Sequence, residues 1–380
     1  MKHIDMLVFG EDWGSHPSST QHLMKHLISE QEILWVNSLG LRRPKMNVRD
    51  MQRLWRKLAS ILQSSFMEKH NIELNAEINP SIIHPCTIPW PGNKAVGLLN
   101  EKLLLKRLLP FIKSSARAPI LWTSLPTAVS VIGKLGERAS VYYCGDDFSA
   151  LAGVDHKPIA EMENELARKC TLIVTASEKL AEKFPKEKTF VLPHGVDTNL
   201  FGTPAQRAND LPEGPVAGFY GSLADWLDQT LLIEIARTLP HWKFVLIGPI
   251  ACDIKSLLNE PNIHWLGVKP HSELPRYSQH WDVSLLPFKR NQQIEACNPL
   301  KLREYMAAGS PIVTTGFPAV DAYKELITVA NDASSFVKAL SQIDKSPPTT
   351  AHDKQAMQLR VSSESWGNRA SELKELLQHL

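Results

Sequence analysis

Residues 298–313 read Asn-Pro-Leu-Lys-Leu-Arg-Glu-Tyr-Met-Ala-Ala-Gly-Ser-Pro-Ile-Val, a loop that becomes a helix and then an apolar strand. Pro299 suits the first helical turn, where its missing N–H would be unpaired anyway, and Gly309 suits the left-handed position that ends a helix. The amino end of a helix offers unpaired N–H groups and a positive dipole end, which can hold phosphate oxygens. Lys301 adds a charge there, and Glu304 lies one turn further on, placed to accept hydrogen bonds from a sugar hydroxyl. The stretch therefore predicts a site for a nucleoside diphosphate.

Short apolar, β-branched runs alternate with helical patterns along the whole chain. This alternation favours α/β architecture, with parallel sheets that carry helices on both faces. The predicted strands of the first half are residues 4–9, 33–36, 120–122, 141–143, 172–174 and 190–192. Those of the second half are residues 216–219, 243–247, 263–265, 283–286, 311–313 and 326–329.

The two sets of strands are separated near residues 195–214, which predicts two Rossmann-like, doubly wound domains. The segment 202–215 is rich in Pro, Asn, Asp and Gly and is the predicted boundary. We expect an N-terminal domain over 1–200, a C-terminal nucleotide-binding domain over 201–355, and a C-terminal helix over 356–380 that packs back toward the first domain.

The 298–313 stretch resembles the nucleotide-binding signature of the family-4-like (group 1) glycosyltransferases of GT-B fold. Further stretches resemble that family in the same order along the last two-thirds of the chain, and the first third matches only in outline. These stretches are 193–197 with Phe201, then 218–222, 244–249, 262–267, 281–288, and finally Ser365, Trp366 and Arg369.

The resemblance implies two Rossmann-like domains that face each other across a cleft, and a hexosyltransferase-type enzyme that uses a nucleoside-diphosphate sugar, with UDP favoured as the carrier. It implies a glycan or lipid-linked saccharide as the acceptor, in cell-surface or exopolysaccharide biosynthesis, and neither a cofactor nor a metal ion. The donor would bind the second domain. The residues implied for that role are Gly221, Ser222, Pro299, Leu300, Lys301, Leu302 and Glu304.

Two departures from the family pattern bear on the chemistry. Many family members carry Arg directly after the first glycine of the second domain and Lys shortly after it, whereas this chain has Ser222 followed by acidic residues. The charge of the diphosphate must then fall mainly on Lys301 and on helix dipoles. The family also has an earlier glutamate in the place where Ala296 stands, eight positions before Glu304, with Glu295 beside it. Retention or inversion at the sugar carbon therefore stays open.

Polar residues follow the first predicted strand, in the loop Gly-Glu-Asp-Trp-Gly-Ser-His-Pro-Ser-Ser-Thr at 10–20. Ligands of doubly wound sheets bind beyond the carboxyl ends of the strands, so this loop is expected to face the acceptor. Asp12, Ser15 and His16 are the candidate acceptor-side residues, and His16 is also a catalytic candidate. The alternative is a polar loop whose Ser and Thr side chains cap the following helix.

Asp146 and Asp147 follow another strand of the first domain. Repulsion between adjacent carboxylates can raise the pKa of one of them toward the working pH, which suits a general base that deprotonates an acceptor hydroxyl. Either residue can take this role. The alternative is an Asp that caps a short turn.

Basic residues are concentrated in one region of a chain whose formal net charge is +2. Residues 42–117 carry 14 Lys and Arg against 5 Asp and Glu. Within them, 48–66 form an amphipathic pattern and 94–117 an apolar, basic stretch. Both predict peripheral contact with an anionic membrane. The alternative is a core-packed helix with a solvated basic face, and no nucleic-acid motif is present.

The five cysteines are dispersed and show no metal-like spacing, which favours reduced thiols in the cytoplasm. The first residues predict a strand and not a signal peptide, and no apolar run is long enough to span a bilayer. We therefore expect a cytoplasmic protein, peripheral at the inner face of the cell membrane.

Two other functions fit the same sequence. A nucleotide-sugar epimerase of the same fold would act without an acceptor. A non-catalytic scaffold that keeps only the fold would explain the missing Glu and the missing Arg and Lys. A dinucleotide-dependent oxidoreductase fits less well, because no Gly-x-Gly-x-x-Gly follows either opening strand.

Overall fold

The computed structural model describes residues 4–15, 18–41, 79–151, 154–345 and 350–380. The chain divides into two compact units. The first comprises Met1–Pro193 together with Ala370–Leu380, and the second is the continuous segment His194–Arg369.

The first unit is built on a seven-stranded sheet in the order β3-β2-β1-β4-β5-β6-β7. All neighbouring strands pair in parallel. The strands are β1 (Met6–Phe9), β2 (Ile33–Val36), β3 (Ser81–Ile83), β4 (Ile120–Thr123), β5 (Ala139–Cys144), β6 (Leu172–Thr175) and β7 (Thr189–Val191). The strand order reverses between β1 and β4, so the carboxyl ends of these two strands border the ligand-binding crevice expected of a doubly wound sheet.

The second unit repeats this plan in a six-stranded parallel sheet, in the order β10-β9-β8-β11-β12-β13. Its strands are β8 (Val216–Tyr220), β9 (Lys243–Ile247), β10 (Ile263–Trp265), β11 (Val283–Leu286), β12 (Ile312–Thr314) and β13 (Thr328–Val329). Here the order reverses between β8 and β11.

Helices connect the strands in both units. They are α1 (Ser19–Leu27), α2 (Lys94–Lys113), α3 (His156–Lys169), α4 (Glu178–Ala181), α5 (Thr198–Gly202), α6 (Gln229–Thr238), α7 (Lys255–Leu258), α8 (Pro275–Ser278), α9 (Gln292–Ala296), α10 (Leu300–Ala308), α11 (Ala333–Lys345), α12 (Ala351–Ser362) and α13 (Trp366–Gln378). Short 3-10 turns cover Pro126–Ser130, Lys186–Lys188, His271–Glu273 and Pro318–Tyr323.

The central strands are buried and mostly apolar because helices cover both of their faces. All residues of β8 are buried, including Gly218 in its middle. A Cβ on Gly218 would lie 1.7 Å from the ring of Trp281, so only glycine leaves room for this indole. Trp281 donates from Nε1 to Ser284 Oγ of β11 at 2.8 Å, which places the ring across two neighbouring strands.

The predicted α/β class with two Rossmann-like, doubly wound sheets is confirmed. The strands of the second half differ from the prediction mainly at their ends: β12 begins one residue later than predicted, and β13 covers only Thr328–Val329. In the first half, β1 begins at Met6 and β3 was missed, because Ser81–Ile83 is short and lies between prolines. Gly309 has the predicted left-handed conformation, with φ 79°. Pro299 immediately precedes α10 as its N-cap instead of lying in the first turn.

Candidate functional site

Glycine turns follow the carboxyl ends of three neighbouring strands in the second unit. Gly221, Gly248 and Gly267 have φ values of 140°, 138° and 77°, which side-chain-bearing residues rarely adopt. Gly248 donates to the carbonyl of Gly267 at 2.8 Å. A Cβ on Gly248 would lie 2.0 Å from the carbonyl oxygen of Gly221, so these two backbones touch directly. The glycine turns therefore pack directly on one another at this edge of the sheet.

Lys301 reaches the same edge from the first turn of α10. Its side chain crosses Gly221, where a Cβ would lie 2.0 Å from lysine Cε and 2.7 Å from Nζ. The ammonium group lies 5.9 Å from the centre of the Phe219 ring. The side chain of the N-cap residue Pro299 makes no capping hydrogen bond to α10. The structure thus brings together the glycine turn, the lysine and the helix amino end that the sequence singled out.

Glu304 is buried one turn further along α10, and its carboxylate is paired with His271. The distance from His271 Nε2 to Glu304 Oε1 is 2.8 Å. Burial alone would raise the pKa of Glu304, but the hydrogen bond and electrostatic attraction of His271, together with the Tyr220 hydroxyl and Lys301, hold that pKa below its usual value. Glu304 is therefore an ionised acceptor. His271 was missed by the sequence reasoning, because a single histidine after β10 carries no motif.

Aromatic rings pack around this carboxylate. The backbone N–H of Tyr220 donates to the hydroxyl of Tyr305 at 3.1 Å, and the two rings meet edge-on at 4.8 Å. Burial, together with the nearby charge of Glu304, raises the pKa of the Tyr220 hydroxyl well above its usual value. The hydroxyl therefore stays neutral beside the carboxylate.

A buried ion cluster fixes the start of α10. Arg303 Nε donates to Glu364 Oε2 at 2.6 Å, and Arg303 Nη1 donates to Asn298 Oδ1 at 2.5 Å. Glu364 also accepts from the Tyr323 hydroxyl at 2.7 Å and from Arg360 at 2.5 Å. Burial alone would raise the pKa of Glu364, but these partners, Arg303 first, lower it overall. The loop before α10 is therefore held by side chains of its own unit.

Ser222 is half-buried after Gly221, in the place where the family pattern expects arginine. Two exposed cations, Lys289 and Arg290, follow β11, and the backbone N–H of Lys289 donates to the carbonyl of Trp226 at 2.8 Å. This bond attaches the Lys289 segment to the loop that continues from Ser222. The sequence contains a signal for these two cations, because they follow β11, one of the two strands between which the order of the sheet reverses.

Glu295 and Ala296 end the short helix α9, before the loop that leads to α10. Ala296 is buried, whereas Glu295 is exposed. Of the two positions weighed for the earlier family glutamate, only Glu295 presents a carboxylate.

In the first unit, Asp147 lies in an ion cluster after β5. Lys183 Nζ contacts Asp147 Oδ1 and Glu163 Oε2, each at 2.8 Å. Asp147 also accepts from the Ser149 backbone N–H at 3.1 Å, which is the turn-capping role weighed as its alternative. Burial would raise the pKa of Asp147, but Lys183 and Ser149 lower it overall. The raised pKa expected of one aspartate is therefore not at Asp147, and Asp146 is the exposed member of the pair.

The loop after β1 is held by hydrogen bonds within itself and to the segment after β2. Asp12 Oδ1 accepts from the Ser38 backbone N–H at 3.1 Å, and the Asp12 carbonyl accepts from the Ser15 N–H at 3.1 Å. Asp12 and Ser15 are both exposed. The side chain of Ser18 caps α1, as the alternative reading of this loop required. His16 lies outside the described residues.

Of the two basic stretches, residues 48–66 lie outside the described residues and 94–117 contain α2. One face of α2 is buried through Leu104, Leu108 and Ile112. Leu98 and Leu99, in its first half, are 62% and 45% exposed, and Trp90 shortly before the helix is 46% exposed. Exposed lysines at 94, 102, 106 and 113 accompany them. Across the part of the chain that the structure describes, no helix is both long and apolar enough to cross a membrane.

Comparisons with known proteins agree with this architecture. Residues 214–345 match the family model described as Glycosyl transferases group 1. The chain is also similar to the Bacillus subtilis (strain 168) protein TuaH, described as a teichuronic acid biosynthesis glycosyltransferase. The two are 29% identical over 238 residues, which cover 57% of this chain. The chain spans 60% of the length of this relative. The predicted resemblance to group 1 glycosyltransferases is confirmed.

Solved structures share the fold. The Anabaena protein HepE in complex with UDP and glucose matches over 100% of both chains, with a TM-score of 0.67 at 14% identity. Sucrose-phosphate synthase from Thermosynechococcus elongatus matches over 99% of both chains, with a TM-score of 0.73 at 12% identity. These likenesses establish the predicted GT-B fold.

Proposed function

We propose that this chain is a glycosyltransferase that moves a sugar from a nucleoside diphosphate to a saccharide or lipid-linked acceptor. The observation that carries the proposal is the placement of Lys301 against Gly221, one helical turn from the buried carboxylate of Glu304. A cation and a helix amino end beside a glycine turn suit a diphosphate, and an ionised carboxylate suits a sugar hydroxyl.

The favoured donor is a UDP-hexose. Support comes from structural neighbours of the same fold, since HepE is described in complex with UDP-glucose and an Escherichia coli trehalose-6-phosphate protein with UDP-2-fluoro glucose. In this chain, Gly221 and Ser222 would line the phosphates together with the start of α10, from Pro299 to Leu302. Lys289 and Arg290 would add the positive charge that the family's missing Arg and Lys otherwise supply.

In the proposed reaction, a carboxylate of the first unit takes the proton of an acceptor hydroxyl. The hydroxyl oxygen then bonds to the anomeric carbon of the donor sugar, and the bond from that carbon to the diphosphate oxygen breaks. Asp146 is the favoured base, because its side chain is exposed whereas Asp147 is buried. Lys301 and the α10 dipole stabilise the departing diphosphate, which removes the need for a metal ion. Asp12, Ser15 and His16 would bind the acceptor.

The acceptor is proposed to be a growing cell-surface polymer or its lipid-linked precursor. Similarity to TuaH, described as acting in teichuronic acid biosynthesis, supports this class. The exposed leucines and lysines of α2 support peripheral contact with an anionic membrane, and the cytoplasmic face is the proposed side.

The test is calorimetric titration with UDP, GDP and ADP of the unaltered protein, of Lys301→Ala, and of Lys338→Ala as the matched control. Lys338 is an exposed lysine on α11 of the same unit. We expect one diphosphate to bind, the affinity to fall at least about tenfold in Lys301→Ala because a charge-assisted contact is lost, and no change in the control.

Absence of binding by any diphosphate would overturn the donor site and favour the scaffold alternative. Product analysis with the matching nucleotide sugar, with and without a saccharide acceptor, separates a glycosyltransferase from an epimerase. The same reaction with a chelator tests metal independence. Conversion without an acceptor would identify an epimerase, and loss of transfer in the chelator would contradict metal independence.

A further inference from the structure

We propose that His271 is a positioning residue that holds Glu304 for recognition of the nucleotide ribose, and so sets the preference for ribonucleotides over 2′-deoxyribonucleotides. This inference rests on the donor site proposed above. It concerns a residue that no motif identifies, in the connection that follows β10.

The contact between the two side chains lies inside the second unit. His271 Nε2 and Glu304 Oε1 are 2.8 Å apart, and the side chains are only 18% and 9% exposed. The two residues are 33 positions apart in the sequence, one in the turn after β10 and the other on α10. The pair therefore differs from an ion pair on a helix surface, whose partners are solvated and contribute little to the free energy of unfolding.

The imidazole is itself held in place. Phe201 of α5 meets the His271 ring edge-on, with centroids 5.4 Å apart. The ring packing and the hydrogen bond together restrict both the orientation of the imidazole and the direction of the carboxylate. Glu304 is thereby presented as a fixed acceptor beside Lys301.

A fixed, buried acceptor discriminates strongly between ligands with and without a hydroxyl. When the ligand lacks the hydroxyl, the acceptor loses a hydrogen bond and stays desolvated, which costs more than the bond itself is worth. A carboxylate that can turn away avoids this cost. His271 thus converts Glu304 from a general acceptor into one that selects for a hydroxyl.

The experiment compares binding of a ribonucleoside diphosphate with its 2′-deoxy form, using UDP and 2′-deoxy-UDP, or the GDP or ADP pair if that base is the one bound. The variants are His271→Leu, which lacks a donor, and His271→Gln, which keeps an N–H donor. Glu304→Gln is the reference for lost recognition. We expect a preference for UDP of about tenfold or more in the unaltered protein, since one hydroxyl contact is worth roughly that much.

In His271→Leu the preference should fall below about threefold, because the carboxylate loses the hydrogen bond from His271 that fixes its direction, and His271→Gln should restore most of it. A merely structural role predicts weaker binding of both nucleotides with the same ratio. The double variant His271→Leu with Glu304→Gln should have the same ratio as either single variant, since both act through one contact.

The outcomes separate this inference from the donor site itself. If Lys301→Ala abolishes binding but His271→Leu keeps the full preference, the role of His271 is overturned and the donor site stands. If no diphosphate binds the unaltered protein, both the role of His271 and the donor site are overturned. If His271→Leu does not fold, the comparison of His271→Gln with Glu304→Gln provides the test. The proposal then requires that His271→Gln keeps the preference and Glu304→Gln loses it, and any other pattern overturns it.

Discussion

The side chain of Lys301 crosses Gly221 at contact distance, so that a Cβ on the glycine would lie 2.0 Å from lysine Cε. The two residues belong to separate segments: Gly221 follows β8, and Lys301 lies at the start of α10. Each constrains the other, because the lysine occupies the only direction in which a side chain at 221 could point.

Gly221→Ala should therefore displace Lys301 and abolish diphosphate binding. The matched control is Gly214→Ala, since Gly214 also has a positive φ, of 97°, but no atom lies within 4 Å of its would-be Cβ. Both variants should lose about 1–2 kcal/mol of unfolding free energy from backbone strain, and only Gly221→Ala should lose nucleotide affinity. Urea unfolding and calorimetry measure the two effects. Equal affinities in both variants would contradict the displacement.

Lys183→Met should destabilise the first unit, because Asp147 and Glu163 would be left buried without their cation. Removing one partner of a buried ion pair typically costs about 3 kcal/mol or more. Lys179→Met is the control, since Lys179 pairs with Glu182 on the surface and should cost less than about 1 kcal/mol. Denaturant unfolding of both variants gives the comparison, and similar losses would show that the buried cluster contributes no more than a surface pair.

Acid should destabilise the second unit through Glu364. Its pKa is lowered in the folded state, so the unfolded state binds more protons, and stability rises with pH across this range. The contribution is fully present above the ordinary glutamate pKa of about 4.3 and is lost as pH falls through the lower folded value.

Urea unfolding between pH 3 and pH 7 should reveal this dependence, and Glu364→Gln should both lower stability at pH 7 and flatten the curve. The slope of the unfolding free energy against urea concentration should be the same in both proteins. An equally steep loss of stability in acid for Glu364→Gln would assign the effect to other carboxylates.

The double variant Leu98→Gln with Leu99→Gln should weaken binding to vesicles of anionic lipid, because it removes the exposed apolar residues of α2. We expect a loss of about tenfold, since partial burial of two leucines is worth on the order of 1–3 kcal/mol. Leu359→Gln is the control, as Leu359 is 64% exposed on α12 of the second unit. Co-sedimentation at low and high salt measures both, and equal retention by all three proteins would argue against membrane contact through α2.

The elements that could be predicted from the sequence are those whose residues favour a single backbone conformation. The buried run Lys243–Ile247 and the left-handed Gly309 are examples, since an apolar β-branched run of that length and a glycine after a helix each favour one conformation. Ser81–Ile83 was missed because three residues between prolines carry no detectable period. The pairs Lys183–Asp147 and His271–Glu304 could not be predicted, because their partners are 36 and 33 positions apart and meet only through sheet order.

The continuous second unit, His194–Arg369, interrupts a first unit that is made of two separate segments. In the gene, the second unit is thus one continuous insert with two junctions, one at Pro193/His194 and one at Arg369/Ala370 inside α13. A double crossover at these two junctions would replace the whole second unit and keep both segments of the first, including the last turns of α13.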